Sequence, residues 1–226
     1  MFLINPYWYS ATAIAPTDYI ALYKFEDNGN DETGNHTATM SNVTYSDTGG
    51  VTGQGKYGIF NGTTSYGQVT DHADITDLKT VSCWIYRKSG SLGGNGRIFE
   101  KGSTMFWFNS NDVIVFQKDF SIYKSRWDTR NATLLTFDTW YHVAFTYPMD
   151  DNITTPPVFY INGVSVAVFK LTTADGIMVS DTGTDLLIGN TSTNDFSVDG
   201  RLENLRLYNR VLTPAEIQSI YDEENT

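Results

Sequence analysis

Apolar and polar positions alternate along most of the chain in short runs, and turn residues separate the runs. That period of two predicts β-strands. Thr80-Val81-Ser82-Cys83-Trp84-Ile85-Tyr86 and Trp140 to Tyr147 are the longest such runs. Shorter ones are Tyr19 to Phe25, Tyr57 to Phe60, Ser65 to Val69, Arg97 to Glu100, Thr104 to Phe108, Val113 to Phe116 and Leu186 to Ile188. Val158 to Ile161 and Val164 to Phe169 flank Asn162-Gly163, a pair that accepts the positive φ of a type I′ hairpin turn. In the run Arg201 to Tyr208, strict alternation puts Leu202, Asn204, Arg206 and Tyr208 on one face. Glu203, Leu205 and Leu207 take the other. One short helix is predicted at the C-terminal end. Thr213 is its N-cap, Pro214 its first helical residue and Glu216 closes a capping box. Ile217, Ile220 and Tyr221 fall on one helical face. Many short strands with turns between them predict an all-β, two-sheet antiparallel sandwich.

Residues 1–18 do not share this pattern. Phe2, Leu3, Ile4, Tyr7, Trp8 and Tyr9 make the start apolar and aromatic, and Asn5-Pro6 interrupts any regular strand. The segment reads as an arm ahead of a domain spanning 19–226. It either folds back on that domain or serves as an assembly peg on a neighbour, since exposed aromatics are otherwise a liability. A chain of 226 residues with no linker-like stretch is expected to form one such domain.

Charge and cysteine content narrow the classes. The formal net charge is −11 and there is no basic run, so nucleic acid is not an expected partner. The acidity reads either as solubility or as a means of holding a cation. Cys83 is the sole cysteine, so no intrachain disulfide forms, and it reads as a small buried hydrophobe. No apolar stretch reaches the length of a membrane span, and membrane insertion is not expected. The start lacks a basic n-region, so it is expected to carry no secretory leader.

Several blocks together resemble laminin-G-like, concanavalin A-like jelly-roll domains. They are Leu22-Tyr23-Lys24-Phe25-Glu26-Asp27 with Asp31-Glu32-Thr33-Gly34-Asn35-His36, Gly58 to Tyr66, Thr80 to Tyr86, Trp140 to Tyr147, Phe159 to Gly163, and Asp199 to Arg210 with Leu212 to Ile217. They occur in the family's order over roughly residues 19 to 223. The resemblance implies two packed antiparallel sheets, one of them concave. It does not imply one function, because lectins, adhesion modules, glycanases and virion proteins share this fold.

The chemistry that the residues support is limited. Glycanases need two carboxylates flanking the scissile bond, and the family's catalytic versions carry Glu-x-Asp-x-(x)-Glu on one strand. No strand here has that spacing, and no catalysis is expected. His36, His72 and His142 are scattered and lack H-E-x-x-H spacing, so zinc catalysis is not expected. His142 is expected to be a hydrogen-bonded, partly buried strand residue. The oxygen-rich loop Asp27 to Asn35 resembles the family loop that holds a structural calcium with help from the last strand. Carried over by position, that implies Asp31, Asn35, Asp199 and Glu203 as ligands. The other reading is an Asx-rich turn held by its own side chains. Sugars bind exposed aromatic platforms, and Trp107, Tyr123 and Trp127 are the candidates. The stretch Asp119 to Asn131, expected to be a loop, offers Lys124, Arg126 and Arg130 to an anionic glycan or an acidic partner.

These features point to a non-enzymatic binding or adhesion protein. The arm also resembles apolar starts of some phage structural proteins. That implies a homo-oligomeric capsid-decoration or tail component on a virion surface, in contact with other virion proteins or with itself and able to bind host glycans. The alternative is an extracellular carbohydrate-binding module of a secreted glycan-processing enzyme.

Overall fold

The structure is a computed structural model and describes residues 14–226 apart from 52, 54, 90–94, 131–134, 153 and 192. Phe2, Leu3, Ile4, Tyr7, Trp8 and Tyr9, the proposed assembly arm, lie outside the described residues. In chain order the strands are β1 (Ala21–Tyr23), β2 (Thr39–Ser41), β3 (Thr44–Tyr45), β4 (Gly58–Asn61), β5 (Tyr66–Val69), β6 (Thr80–Arg87), β7 (Gly96–Lys101) and β8 (Thr104–Phe108). They continue as β9 (Ile114–Lys118), β10 (Ser125–Asp128), β11 (Trp140–Thr146), β12 (Val158–Ile161), β13 (Val164–Val166), β14 (Phe169–Thr172), β15 (Leu186–Ile188) and β16 (Asp199–Tyr208), followed by helix α1 (Pro214–Glu224).

The strands form two antiparallel eight-stranded sheets. The first runs β13-β12-β11-β6-β16-β4-β3, with β1 also paired to β16. The second runs β14-β10-β9-β8-β7-β15-β5-β2. Alternation decides which side chains enter the space between them. Phe106 and Phe116 of the second sheet meet Phe145 of the first, with ring centroids 5.0 and 4.6 Å from it. Val81, Cys83 and Ile85 on β6 and Val143 and Phe145 on β11 point into the same core. This is the jelly-roll sandwich that the pattern predicts.

Two elements differ from the strict pattern. In β16 the register against β6 slips between Glu203, opposite Trp84, and Arg206, opposite Ser82. One extra residue is accommodated there, and Asn204 takes a positive φ of 50°. The bulge turns Leu202, Leu205 and Leu207 all into the core, so Leu202 does not share a face with Arg206 and Tyr208. The hairpin at Asn162-Gly163 forms as expected, with both residues at positive φ and Ile161 opposite Val164. Its second arm ends at Val166, however. Phe169–Thr172 crosses to the second sheet and pairs with β10, a strand inside the stretch that reads as a loop.

The outer face of the first sheet is covered. Thr213 and Glu216 form the capping box, and α1 lays Ile217 and Ile220 against Ala144, Tyr160 and Tyr208. Tyr221 stacks on Trp84, whose Nε1 donates to Glu224. The described end of the arm packs here too. Ala15 is buried in the same cluster, and the Tyr208 hydroxyl donates to the Pro16 carbonyl.

Candidate functional site

Among the described residues, no helix covers the outer face of the second sheet. Met105, Trp107, Val113, Val115 and Leu171 form a small apolar patch there, separate from the main core. They occupy alternate positions to Phe106, Phe108, Ile114 and Phe116, which point inward. Two guanidiniums lie over the Trp107 ring: Arg97 at 4.3 Å from its centroid and Arg126 at 5.4 Å. Trp107 is therefore only 5% exposed, but what covers it is two long, polar side chains rather than core.

Each guanidinium is held in place. Arg97 Nε donates to Glu100 Oε2 at 2.9 Å, and its carbon also lies 5.0 Å from the Phe196 ring centroid. Arg126 donates through Nε and Nη2 to Gln117 Oε1, and Gln117 in turn donates to Asp119. Arg97 Nη1 is buried and has no partner among the described residues. Burial pushes the Glu100 carboxyl up and the Arg97 guanidinium down from their ordinary values, each resisted by the other's charge.

A cavity lies on either side of this pair. One, of about 190 Å³, is lined by Asn95, Arg97, Trp107, Asn109, Arg126 and Phe196. The other, of about 360 Å³, is lined by Tyr66, Gln68, Glu100, Asp185, Leu187 and Asn194 among others. Gln68 donates to Asp185 at 2.6 Å, which leaves the carboxylate's polar edge at the cavity wall. Together these groups make a concave strip of aromatic, amide, guanidinium and carboxylate chemistry. Such a strip can accept and donate hydrogen bonds to a polyhydroxylated ligand while stacking one of its apolar faces.

The structure does not bring the three aromatic candidates together. Trp107 is on this face. Trp127 points into the main core, is 6% exposed and donates to Ser125 Oγ. Tyr123 is 52% exposed in the segment before β10, where it bridges to Asp175. Arg97 and Glu100 were not singled out by sequence, since a charged pair in a short strand has no distinguishing spacing.

The four calcium candidates do not converge as a carboxylate cluster. Asp31 is buried, and its two oxygens accept from the backbone amides of Leu22, Thr33, Asn35 and His36 and from the Thr33 hydroxyl. It acts as the hub of an Asx-rich turn. Asn35 is exposed on the same turn. Glu203 is half-buried beside the β16 bulge and accepts from the Val51 amide at 3.0 Å, and desolvation pushes it up to about 7. Asp199 lines a different cavity with Tyr86 and Arg201. Among the described residues, the one group of three His, Cys, Asp or Glu with converging ligand atoms is His36, His72 and Asp74. Two of the histidines that look scattered in sequence thus meet in space. The third, His142, is fully buried under α1, and neither ring nitrogen has a partner among the described residues, which corrects the expectation of a hydrogen-bonded residue. Cys83 is fully buried, as expected.

Comparison with known proteins gives the following. A family model described as the concanavalin A-like lectin/glucanases superfamily matches residues 61–218, more than half of the chain. No curated protein matches the chain. Domain 4 of AbnA, a GH43 extracellular arabinanase from Geobacillus stearothermophilus solved in complex with arabinotriose, is 20% identical with a TM-score of 0.66, over 90% of this chain and 98% of that one. The binding domain of Paraclostridial Mosquitocidal Protein 1 is 16% identical with a TM-score of 0.62, over 90% of this chain and 51% of that one. The botulinum neurotoxin type G receptor binding domain is 16% identical with a TM-score of 0.63, over 91% and 51%. The chain thus spans about half the length of these toxin binding domains.

Proposed function

The chain belongs to the concanavalin A-like lectin/glucanase superfamily, and from that premise we propose that it is a non-enzymatic glycan-binding domain. Its ligand lies along the open face of the second sheet. The observation that carries this reading is the Trp107 ring held under the Arg97 and Arg126 guanidiniums, with a cavity on each side of the Arg97–Glu100 pair. An oligosaccharide placed there stacks on Trp107 once a guanidinium swings aside. The unpartnered Arg97 Nη1 then finds a hydroxyl or carboxylate acceptor. The arabinanase domain, which was solved with arabinotriose, supports a saccharide as the ligand class. Acidic side chains on this face support binding rather than hydrolysis. Glu100 is tied to Arg97, Asp119 to Gln117, and Asp185 to Gln68 and the Asp71 amide.

A glycan array followed by calorimetry tests the face. Trp107→Ala and Arg97→Ala are expected to weaken the best array ligand by about tenfold or more, as loss of a central aromatic or arginine contact does. Tyr57→Ala, just ahead of β4 in the opposite sheet, leaves affinity unchanged. Equal affinity for wild type, Trp107→Ala and Arg97→Ala would place the ligand elsewhere. The setting we propose is a virion surface, with a secreted glycan-processing enzyme as the alternative.

A further inference from the structure

β2 and β5 run antiparallel at the edge of the second sheet, with Thr39 opposite Gln68. The residues before β2 and those after β5 therefore emerge side by side. That register brings His36 to His72, with ring centroids 5.2 Å apart. Asp74 stands between them. Its Oδ2 is 3.1 Å from His36 Nε2, and its Oδ1 is 2.5 Å from His72 Nδ1. One ligand atom from each residue lies within 4.8 Å of the other two. We propose that His36 Nε2, His72 Nδ1 and the Asp74 carboxylate form a site for a divalent transition-metal ion of the zinc type, with the remaining coordination position open to water or a ligand.

Three features take this beyond a hydrogen-bonded cluster. The first is chemistry. Two neutral imidazoles and one carboxylate suit zinc, nickel or copper, whereas calcium wants an all-oxygen shell. The only thiol, Cys83, is buried away from any such role. The second is reach. Ligand atoms about 2 Å from a tetrahedral zinc sit roughly 3.3 Å apart, so the two imidazole–carboxylate separations open slightly and the two histidine nitrogens, within 4.8 Å of one another, close on the ion.

The third is preorganisation of both halves. The amide of His36 donates to the Asp31 hub, and its carbonyl accepts from the buried Tyr23 hydroxyl at 2.6 Å. The turn carrying His72 and Asp74 is pinned at its two ends by buried lysines. Asp71 pairs with Lys101 and Asp77 pairs with Lys118, and neither lysine has any exposed surface. The Asp31 turn thus holds the His36 backbone in place. Supporting shells of this kind fix ligand geometry and raise affinity. The His36 side chain is 3% exposed, while those of His72 and Asp74 are 62% and 42% exposed. The ion's open side therefore faces solvent.

The test uses the full chain without a polyhistidine tag. Zinc is titrated by calorimetry, and cobalt is followed by its ligand-field absorption. Saturable binding of one ion per chain is expected, with Tm rising as zinc is added. His72→Ala removes an exposed ring and leaves the core intact. It should weaken zinc about tenfold or more and abolish the Tm rise, and Asp74→Asn should do the same. Calcium should neither raise Tm nor displace cobalt. The proposal is overturned by absence of saturable binding to the folded wild type, by His72→Ala binding zinc as tightly as wild type, or by displacement of cobalt by calcium.

Discussion

His142 sits under α1 between Trp84 and Tyr221, with ring centroids 5.5 and 6.1 Å away. Burial, with a smaller push from the Arg206 charge, takes its pKa down to about 3. The folded state keeps it neutral, while the unfolded chain protonates it below about 6.5. Its contribution to stability therefore falls as pH drops from about 6.5 towards 3, by up to about 1.4 kcal/mol per pH unit. Glu203 and Glu224 act in the opposite sense, because burial raises each to about 7. The folded state holds their protons more tightly, so they favour folding as pH falls from about 7 towards 4.5. A difference curve isolates the histidine. His142→Leu removes two buried, unpartnered nitrogens and should stabilise the fold by about 1–2 kcal/mol at neutral pH. Its advantage over wild type should widen below pH 6.5, as read from urea unfolding at several pH values. A constant difference from pH 7 to 4 would mean that His142 finds a proton partner. Alternation in the sequence places His142 on the correct face of β11. It cannot show that a helix more than seventy residues later closes over the ring, which is why burial was legible and isolation was not. The same holds for Asp31. Its Asx turn was one of two readings, and only the five donors converging on it show where its oxygens go.

At the scale of elements, α1 was legible to the residue because its signals are local. Thr213 accepts from the Glu216 amide, Glu216 accepts from the Thr213 amide, and Pro214 starts the helix. Thr213→Ala should cost about 1 kcal/mol, with the urea midpoint falling at unchanged slope. Because α1 covers Trp84 and His142, faster amide exchange in the helix should accompany the loss. A variant as stable as wild type would assign the cap's work to the Arg210–Glu216 pair, whose atoms lie 2.8 Å apart. Strands β6, β8 and β11 were equally clear, since each is rich in aromatic or β-branched residues without interruption by Gly or Pro. The β16 bulge was not, because one inserted residue at Asn204 leaves the composition of the strand untouched while reversing its faces. Nor was β10 clear. Ser125-Arg126-Trp127-Asp128 reads as polar and charged, and it becomes a strand because β9 and β14 pair with it on either side. That strand carries Arg126 to Trp107, whereas Arg97 and Glu100, which have no distinguishing spacing in the sequence, sit on β7.

At the scale of the whole molecule, the two sheets differ in what lies outside them. The first sheet is closed by α1 and by the entering chain at Ala15 and Pro16. The second sheet's outer face stays open around Trp107. The first described residues thus lie on one side of the sandwich, and the strip proposed to bind glycan lies on the other. A protein held by its first residues would turn that strip away from its support, an arrangement that suits adhesion. The apolar content of Phe2, Leu3, Ile4, Tyr7, Trp8 and Tyr9 is the reason to test that segment as an anchor. Deletion should stop at residue 13, because Ala15 is part of a buried cluster and Asp18 holds Arg210 through two hydrogen bonds of 2.7 and 2.9 Å. Mass photometry of the full chain should show a defined oligomer and the chain lacking residues 1–13 a monomer, with glycan affinity unchanged per domain and avidity on a multivalent surface reduced. Loss of intrinsic affinity on deletion would place the arm at the ligand face. A full-length monomer would show that the arm does not join copies of this chain, leaving an arm folded back on its own domain or docked on a different protein.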